Sequence, residues 1–448
     1  MAGCPGSETD AADASVTTPE AGLDASDASD ASSVPPVDAS ANDAAVFDAN
    51  VADAATDATP DTSTPDGGGA CGLASTPMLP SLNHDATFWQ PEGEVRAIAW
   101  SDDSTKLVVG GSFTSVKSPD GAMTRAASNL VVLDAASGQP IAGYPSVTGD
   151  IDDISVSGDT VYVVGGVTQV NGMARGRAFA FSLSSKALGA WAPTFAGTTP
   201  FQPSVRLVRA TGTGVFVGGY FTSVGGTLRA NVAALDPATG AATAWAPPAL
   251  GTLAPQEITV RALAVTSDRV FVGGSSSIDM TGSDGVRRRN VVALDRTTGA
   301  LVPWSPAVAP DTVYALELAG DRLAIGTPQT GLLSQPCLIV ADARTGAVCW
   351  QASLGNAQGF YRVGIARGVV FAGGLTGTLF TAGSAYKSFA LGSGSALTWG
   401  ADLIGGDGSA GSVEDVAVAP NGAVAISGNR IAKGSIATPA PKVMVYRP

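Results

Sequence analysis

The sequence predicts an all-β fold: a seven-bladed β-propeller of four-stranded blades, preceded by an acidic segment without a fold of its own. Three observations predict it. A phrase built of a β-branched run, Gly-Gly and an FTSV tail stands at 107–116 (LVVGGSFTSV) and again at 215–226 (VFVGGYFTSVGG). Aligning the chain on this apolar-run-then-glycine signal gives Gly110, Gly165, Gly218, Gly273, Gly326, Gly373 and Ser427, at intervals of 55, 53, 55, 53, 47 and 54 residues. A fixed period of this length marks a repeat whose units cannot bury their faces alone. Composition agrees: 56 Gly and 28 Pro among many Val, Ala and Thr favour short strands and tight turns.

Each repeat carries four strand signals. The innermost strands read VRAIAW (95–100), IDDISV (151–156), VRLVRA (205–210), VRALAV (260–265), VYALEL (313–318), YRVGIA (361–366) and VEDVAV (413–418). The second strand ends in the Gly-Gly signal, where glycine lets the chain leave a crowded corner between neighbouring sheets. The third reads like NVVALD (290–295). The fourth ends in an aromatic, reached through a turn written SLSSK, DPATG, DRTTG or DARTG. There Asp accepts a backbone hydrogen bond and Gly supplies positive φ. Four-stranded units repeated radially make a propeller.

The aromatics count the blades. Tyr144, Trp191, Trp245, Trp304, Trp350 and Trp399 make six, and the seventh blade stops at its third strand, VMVYRP (443–448). The missing aromatic is expected in ATFWQP (86–91), which should complete the last blade and remove a sheet edge. The blades are then 95–149, 150–200, 201–255, 256–310, 311–357, 358–408, and 411–448 with 86–91, all within a domain spanning 76–448.

Residues 1–75 are read separately. Residues 1–70 hold 14 Asp/Glu and no Lys or Arg, so the whole chain's net charge of −14 belongs to this segment and the remainder is neutral. Its Ala/Asp/Ser/Thr text has no period and too little apolar surface to offset chain entropy, which predicts a disordered spacer. A neutral body has no basic stripe for phosphate backbones, so nucleic acid is not an expected partner. No apolar run reaches the roughly 18 residues of a membrane helix. The expected state is a monomer with no cofactor.

Two resemblances sharpen this reading. GGSFTSV (110–116) and GGYFTSVGGTLRANVAALD (218–236) resemble the "GGxFTSVGG…R-N…LD" repeats of bacterial cell-surface propellers, called delta-60 repeats. The resemblance spans 86–448 and implies a propeller displayed outside the cytoplasm. ALDRTTGALVPW (293–304) and ADARTGAVCW (341–350) are similar to a blade-docking phrase of quinoprotein dehydrogenases. The adjacent cysteines of that family's cofactor pocket are not in this chain, so the likeness supports architecture and not that enzyme. Met-Ala-Gly-Cys at the start resembles the end of a bacterial lipoprotein signal. That likeness implies lipid on Cys4 and a place at the cell envelope, as an outer-membrane lipoprotein or a secreted protein; the charged and apolar stretches that precede such a cysteine are not in the sequence.

Few residues offer chemistry. His84, the sole histidine, lies in the linker before the closing strand. Cys337 and Cys349 flank the DARTG turn as same-face neighbours and are expected to form a disulfide if one bulge shifts the register; Cys71 has no evident partner. Asp279 and Asp284 lack calcium-loop spacing, so no metal site is expected. The second residues of the innermost strands are Arg96, Asp152, Arg206, Arg261, Tyr314, Arg362 and Glu414. In a propeller they would ring the channel mouth, joined by loop arginines Arg125, Arg175, Arg229 and Arg287–Arg289. Guanidinium groups there would suit carboxylate or sulfate on an acidic glycan or peptide. The competing reading has these arginines pair with Asp152, Glu414 and strand-end carbonyls as glue between blades. The function expected is therefore non-enzymatic binding of a glycan, peptide or envelope partner. A hydrolase or lyase acting on polysaccharide through Asp152, Glu414 and Tyr314 is an alternative, weakened because flanking arginines should depress the acids; a purely structural envelope protein is another.

Overall fold

A computed structural model describes residues 76–448 except 276, 307–311, 329–335, 353–358, 375–385, 400–402, 406–411, 430 and 434–441. Contacts divide the chain into Met1–Thr59 and Pro60–Pro448, and every described residue belongs to the second unit. The expected disorder of 1–75 and the expected lipidation of Cys4 lie outside the described residues.

The described residues are all-β, with one short 3-10 turn at Pro255–Glu257. They form small antiparallel sheets, each of them open. Seven are built on one plan, with first, second and third strands at Gln90–Trp100, Lys106–Lys117 and Leu130–Asp134 (sheet 1); Ile151–Ser157, Thr160–Gly165 and Ala178–Ser182 (sheet 2); Ser204–Thr211, Gly214–Tyr220 and Val232–Leu235 (sheet 3); and Val260–Val265, Arg269–Gly274 and Val291–Asp295 (sheet 4). Sheet 5 has Ala315–Ala319, Arg322–Gly326, Leu338–Asp342 and Val348–Ala352; sheet 6 has Phe360–Ala366, Val369–Gly374, Tyr386–Ala390 and Ala396–Leu397; sheet 7 has Ser412–Val418, Val424–Asn429 and Val443–Tyr446. The first strand of each sheet packs on the first strand of the next, and that of sheet 7 packs on that of sheet 1.

Strand alternation sends apolar residues to both faces of each sheet, and every face is covered by a neighbour. Val108 packs toward sheet 2 with Ile151, Ile154 and Val163, while Leu107 and Val109 pack with Val443 and Val445 of sheet 7. Comparable buried layers lie between each further pair of consecutive sheets. The repeated glycine has its reason here. A Cβ on Gly110 would stand 2.6 Å from Cγ2 of Ile151 on the next sheet's first strand, and one on Gly273 2.6 Å from Cγ1 of Val313, just before the next sheet's first strand.

The fourth strand differs from expectation in sheets 1 to 4. It shrinks to single bridges, Leu133–Pro140, Phe181–Leu188, Leu235–Ala242 and Leu294–Leu301. Proline follows the aromatic closely in these four repeats (Tyr144-Pro145, Trp191-Ala-Pro193, Trp245-Ala-Pro247, Trp304-Ser-Pro306) and removes ladder donors. Where Gln351 follows Trp350, a full strand forms. The aromatic itself bonds across to the next sheet: Trp191, Trp245 and Trp304 donate Nε1–H to the carbonyls of Asp236, Asp295 and Asp342. Those aspartates also close the expected turns, accepting the amides of Thr239, Thr298 and Thr345.

The expected N-terminal strand is only partly strand. Regular pairing starts at Gln90, and 86–89 is turn and coil. Phe88 and Trp89 are nevertheless buried, between sheets 7 and 1. The seam is joined by a side chain: Gln90 Oε1 accepts the amides of Lys442 (2.9 Å) and Val443 (3.0 Å), and its Nε2 donates to Val443 O (3.0 Å). Farther back, the amides of Asp85 and Ser81 donate to the carbonyls of Val445 and Arg447.

The expected Cys337–Cys349 disulfide does not form. The Cys337 sulfur donates instead to Ala352 O. Pairing of Leu338 with Ala352 and a bulge between Val340 and Ala341 set Cys349 about three to four residues farther along the strand than Cys337. At about 3.3 Å per residue that exceeds the ~7 Å Cα reach of a disulfide.

Candidate functional site

The first strands enter their sheets through a repeated irregularity. The register shifts at Val95/Ala97, Ile151/Asp153, Val205/Leu207, Val260/Ala262, Phe360/Arg362 and Val413/Asp415. The residue skipped in each case is a bulge residue, unpaired in the ladder and free to point its side chain away. Arg96, Asp152, Arg206, Arg261 and Glu414 occupy this place, and Tyr314 stands just before its strand, at the same point. In sheet 6 the bulge residue is Tyr361. Arg362 pairs with Gly373 in the ladder, as Ala97 pairs with Gly110, so the expected Arg362 is one position out of register. Phe360, apolar like Val95 and Val260 one position before the bulge, was the readable signal.

The structure brings these residues together in two groups of opposite character. Arg96 is saturated: Nη2 lies 2.7 Å from Glu94, and Nη1 lies 3.0 Å from Asp150 and 3.3 Å from Asp152. Glu414 accepts from Ser412 Oγ, and the guanidinium of Arg362 donates to the carbonyls of Glu414 and Tyr361. This half, over sheets 6, 7, 1 and 2, follows the glue reading. Asp152 departs from expectation: burial pushes its carboxyl up, outweighing the lowering by Arg96 and Arg206.

The other half is open. Arg206 is exposed, and its Nε donates only to Ser204 Oγ (3.1 Å). The Arg261 guanidinium lies 4.7 Å from the Tyr314 ring centroid, and its buried Nε has no hydrogen-bond partner among the described residues. Tyr314 meets Tyr361 edge to face at 4.7 Å, and burial, then Tyr314, raises the Tyr361 phenol. Among the described residues, no carboxylate lies within ion-pair distance of Arg206 or Arg261. Arg261, Tyr314 and Tyr361 thus form a chain of contacts across sheets 4 to 6, and Arg206 holds the equivalent bulge of sheet 3.

The loop arginines do not join the ring. Arg125 donates to Pro140 O and covers the Trp89 ring, Arg229 donates to Thr243 O, and Arg288 donates to Trp304 O while pairing with Asp284. Arg175 donates to Ala174 O, and Arg287 and Arg289 pair with Asp279. Arg125, Arg229 and Arg288 brace their hairpins against fourth-strand segments, while Arg175, Arg287 and Arg289 bond within their own hairpins. The asparagine of the same phrase takes positive φ at Asn129, Asn231 and Asn290, which few other residues tolerate. The Asn231 side chain reaches the carbonyl of Pro255 at the entry to sheet 4.

One cluster was not anticipated. Farther along the first strands, Arg209 Nη1 lies 2.6 Å from Asp153 Oδ2, which also accepts the Val208 amide. Asp415 accepts the amides of Ile98 and Val416. Glu317 lies among these groups, interacting with Arg209, Asp415 and Asp153. Burial pushes its carboxyl up to about 7, with Arg209 opposing, and burial pushes Asp415 up to about 6, with Arg362 opposing. Charges inside otherwise apolar strands (IDDISV, VRLVRA, VYALEL, VEDVAV) were the legible sign. Among the described residues, no group of three His, Cys, Asp or Glu side chains is placed to hold a metal ion.

No family model matches the chain, and no curated protein matches it. Among solved structures, the chain is similar to the computationally designed Ika8 protein, at 15% identity and a TM-score of 0.46, over 83% of this chain and 100% of that one.

Proposed function

We propose that the seven sheets are the blades of a seven-bladed β-propeller and that the protein is a non-enzymatic binding module. In this reading its ligand is an acidic glycan or peptide held at the channel mouth, over sheets 3 to 6. The cyclic packing of first strands and the buried layer between sheets 7 and 1 support the propeller. The single observation carrying the binding reading is the contrast between Arg96, held by three carboxylates, and Arg206 and Arg261, which no carboxylate among the described residues approaches to ion-pair distance. Cations without an ion-pair partner beside two edge-to-face phenol rings suit a carboxylate or sulfate on the ligand. The lipoprotein-like start and the delta-60 resemblance support display at a bacterial envelope.

The test is a thermal-shift screen with acidic oligosaccharides and acidic peptides. A ligand at ~100 times its dissociation constant stabilises by about 2.7 kcal/mol. The reading expects a shift that disappears in R206A/R261A while the variant's own unfolding is unchanged. An enzymatic reading draws on Glu317, whose raised pKa would suit a general acid. Polysaccharide turnover that is lost in E317Q would replace the binding reading.

A further inference from the structure

Nine large apolar side chains among the described residues are exposed, and six of them share one part of the fold. Met123, Met173, Leu228 and Val286 lie on the hairpins that follow the second strands of sheets 1, 2, 3 and 4. Phe201 and Leu253 lie on the links entering sheets 3 and 4, where Thr222 N bonds Ala196 O and Asp279 N bonds Leu250 O. Each hairpin repeats the same order of residue types. A tight turn (Asp120-Gly121, Asn171-Gly172, Gly225-Gly226, Asp284-Gly285) is followed within two residues by the apolar residue, and arginine comes next or next but one. Packing does not account for the repetition: Leu228 is 80% exposed, Met123 53%, Met173 48% and Val286 47%.

Charge follows the same line. Segments 115–126, 169–175, 223–229 and 279–289 hold seven Lys/Arg against three Asp, a net charge of +4, whereas the chain beyond residue 70 is neutral as a whole. Single apolar side chains on separate crests, each beside a cation, fit a fluid anionic interface. Such an interface accepts isolated side chains below the level of its phosphates, whereas a rigid protein partner requires one contiguous apolar patch.

We infer that the hairpin crests of sheets 1 to 4 form a docking surface for an anionic lipid bilayer. Met123, Met173, Leu228 and Val286 insert, and the exposed Arg125, Arg287 and Arg289 meet the headgroup phosphates. The hairpins continue from the ends of the second strands that pair beside Arg206 and Arg261, so docking turns the channel mouth toward the bilayer.

The experiment is co-sedimentation of the full chain, carrying no lipid on Cys4, with vesicles of 70:30 phosphatidylcholine:phosphatidylglycerol and of phosphatidylcholine alone. The inference expects at least tenfold tighter binding to the anionic vesicles and at least a fivefold loss in M173S/L228S, with thermal unfolding unchanged. A second variant, M123S/V286S, guards against a folding defect in the first and should lose binding likewise. No sedimentation with anionic vesicles would overturn the inference, as would equal binding by the crest variants. Light scattering that shows a dimer dissociated by the same substitutions would assign the crests to a second copy of the chain, and would also overturn it. R206A/R261A should still sediment, which separates this surface from the ligand site.

Discussion

The indole Nε1 of Trp399 donates to the backbone carbonyl of Ser81 at 2.8 Å, joining residues 318 positions apart. Trp191, Trp245 and Trp304 make the same bond to a carbonyl at the end of the third strand of the next sheet. At sheet 7 the N-terminal segment supplies that carbonyl, and the amide of Ser81 in turn donates to Arg447 O, at the end of the third strand. The two ends of the described chain therefore meet in one set of contacts, with Gln90 bridging to Lys442 and Val443.

Gln90→Ala should destabilise by about 1–3 kcal/mol, since it strands the amides of Lys442 and Val443 without an acceptor. Gln90→Glu keeps the acceptor and loses the donor to Val443 O, so an intermediate loss is expected. Urea unfolding of the two variants measures both.

Glu317 sets a pH dependence of definite sign. Its folded pKa of about 7 lies above its ordinary value of 4.5, so the folded state holds the proton more tightly. The penalty is absent below pH 4.5, grows as pH rises, and is complete above about 7. Arg209, Asp153 and Asp415 are the charged groups facing it. E317Q should therefore be more stable than the parent at pH 8, by on the order of 1 kcal/mol after allowing for its partial solvent contact, and equal to it near pH 4. Melting temperatures across this range test the crossover.

Arg96 and Arg206 hold equivalent bulge positions and should respond oppositely to truncation. R96A leaves Glu94, Asp150 and Asp152 without their shared cation and should cost about 1–3 kcal/mol. R206A should stay within about 0.5 kcal/mol of the parent and lose only affinity for acidic ligands. Chemical denaturation beside a binding titration separates the two effects.

Gly273→Val should cost about 1–3 kcal/mol or more by overpacking, because a Cβ there already falls 2.6 Å from Val313 Cγ1. Gly158, with nothing within 4 Å of its Cβ position, serves as a spatially open comparison. Any cost of G158A then reports the positive φ of that turn alone.

The repeat, the strand order and the aspartate turns were legible because each follows from local chemistry: Gly at close approach, Asp before a turn, Trp at a strand end. The fourth strand was overread in sheets 1 to 4 because the prolines after its aromatic decide pairing there. The residues at the shared bulge position were legible in five sheets by counting from the strand start, and Tyr314 by the same rule. It failed at Arg362, where Phe360 extends the strand by one residue. Which arginines are spent was not legible at all. The neutralising Glu94 and Asp150 sit outside the strand phrases, and the loop arginines end on backbone carbonyls that no sequence spacing reveals. The cysteine pair failed through a bulge whose place depends on three-dimensional register.

The closing seam is tested most directly by amide hydrogen exchange on the full chain. The account predicts that the amides of Ser81, Asp85 and Trp89, bonded to Arg447, Val445 and Gly138, exchange as slowly as those of the third strand Val443–Tyr446. Exchange of 76–91 at the rate of an unstructured peptide, with 443–446 still protected, would contradict it.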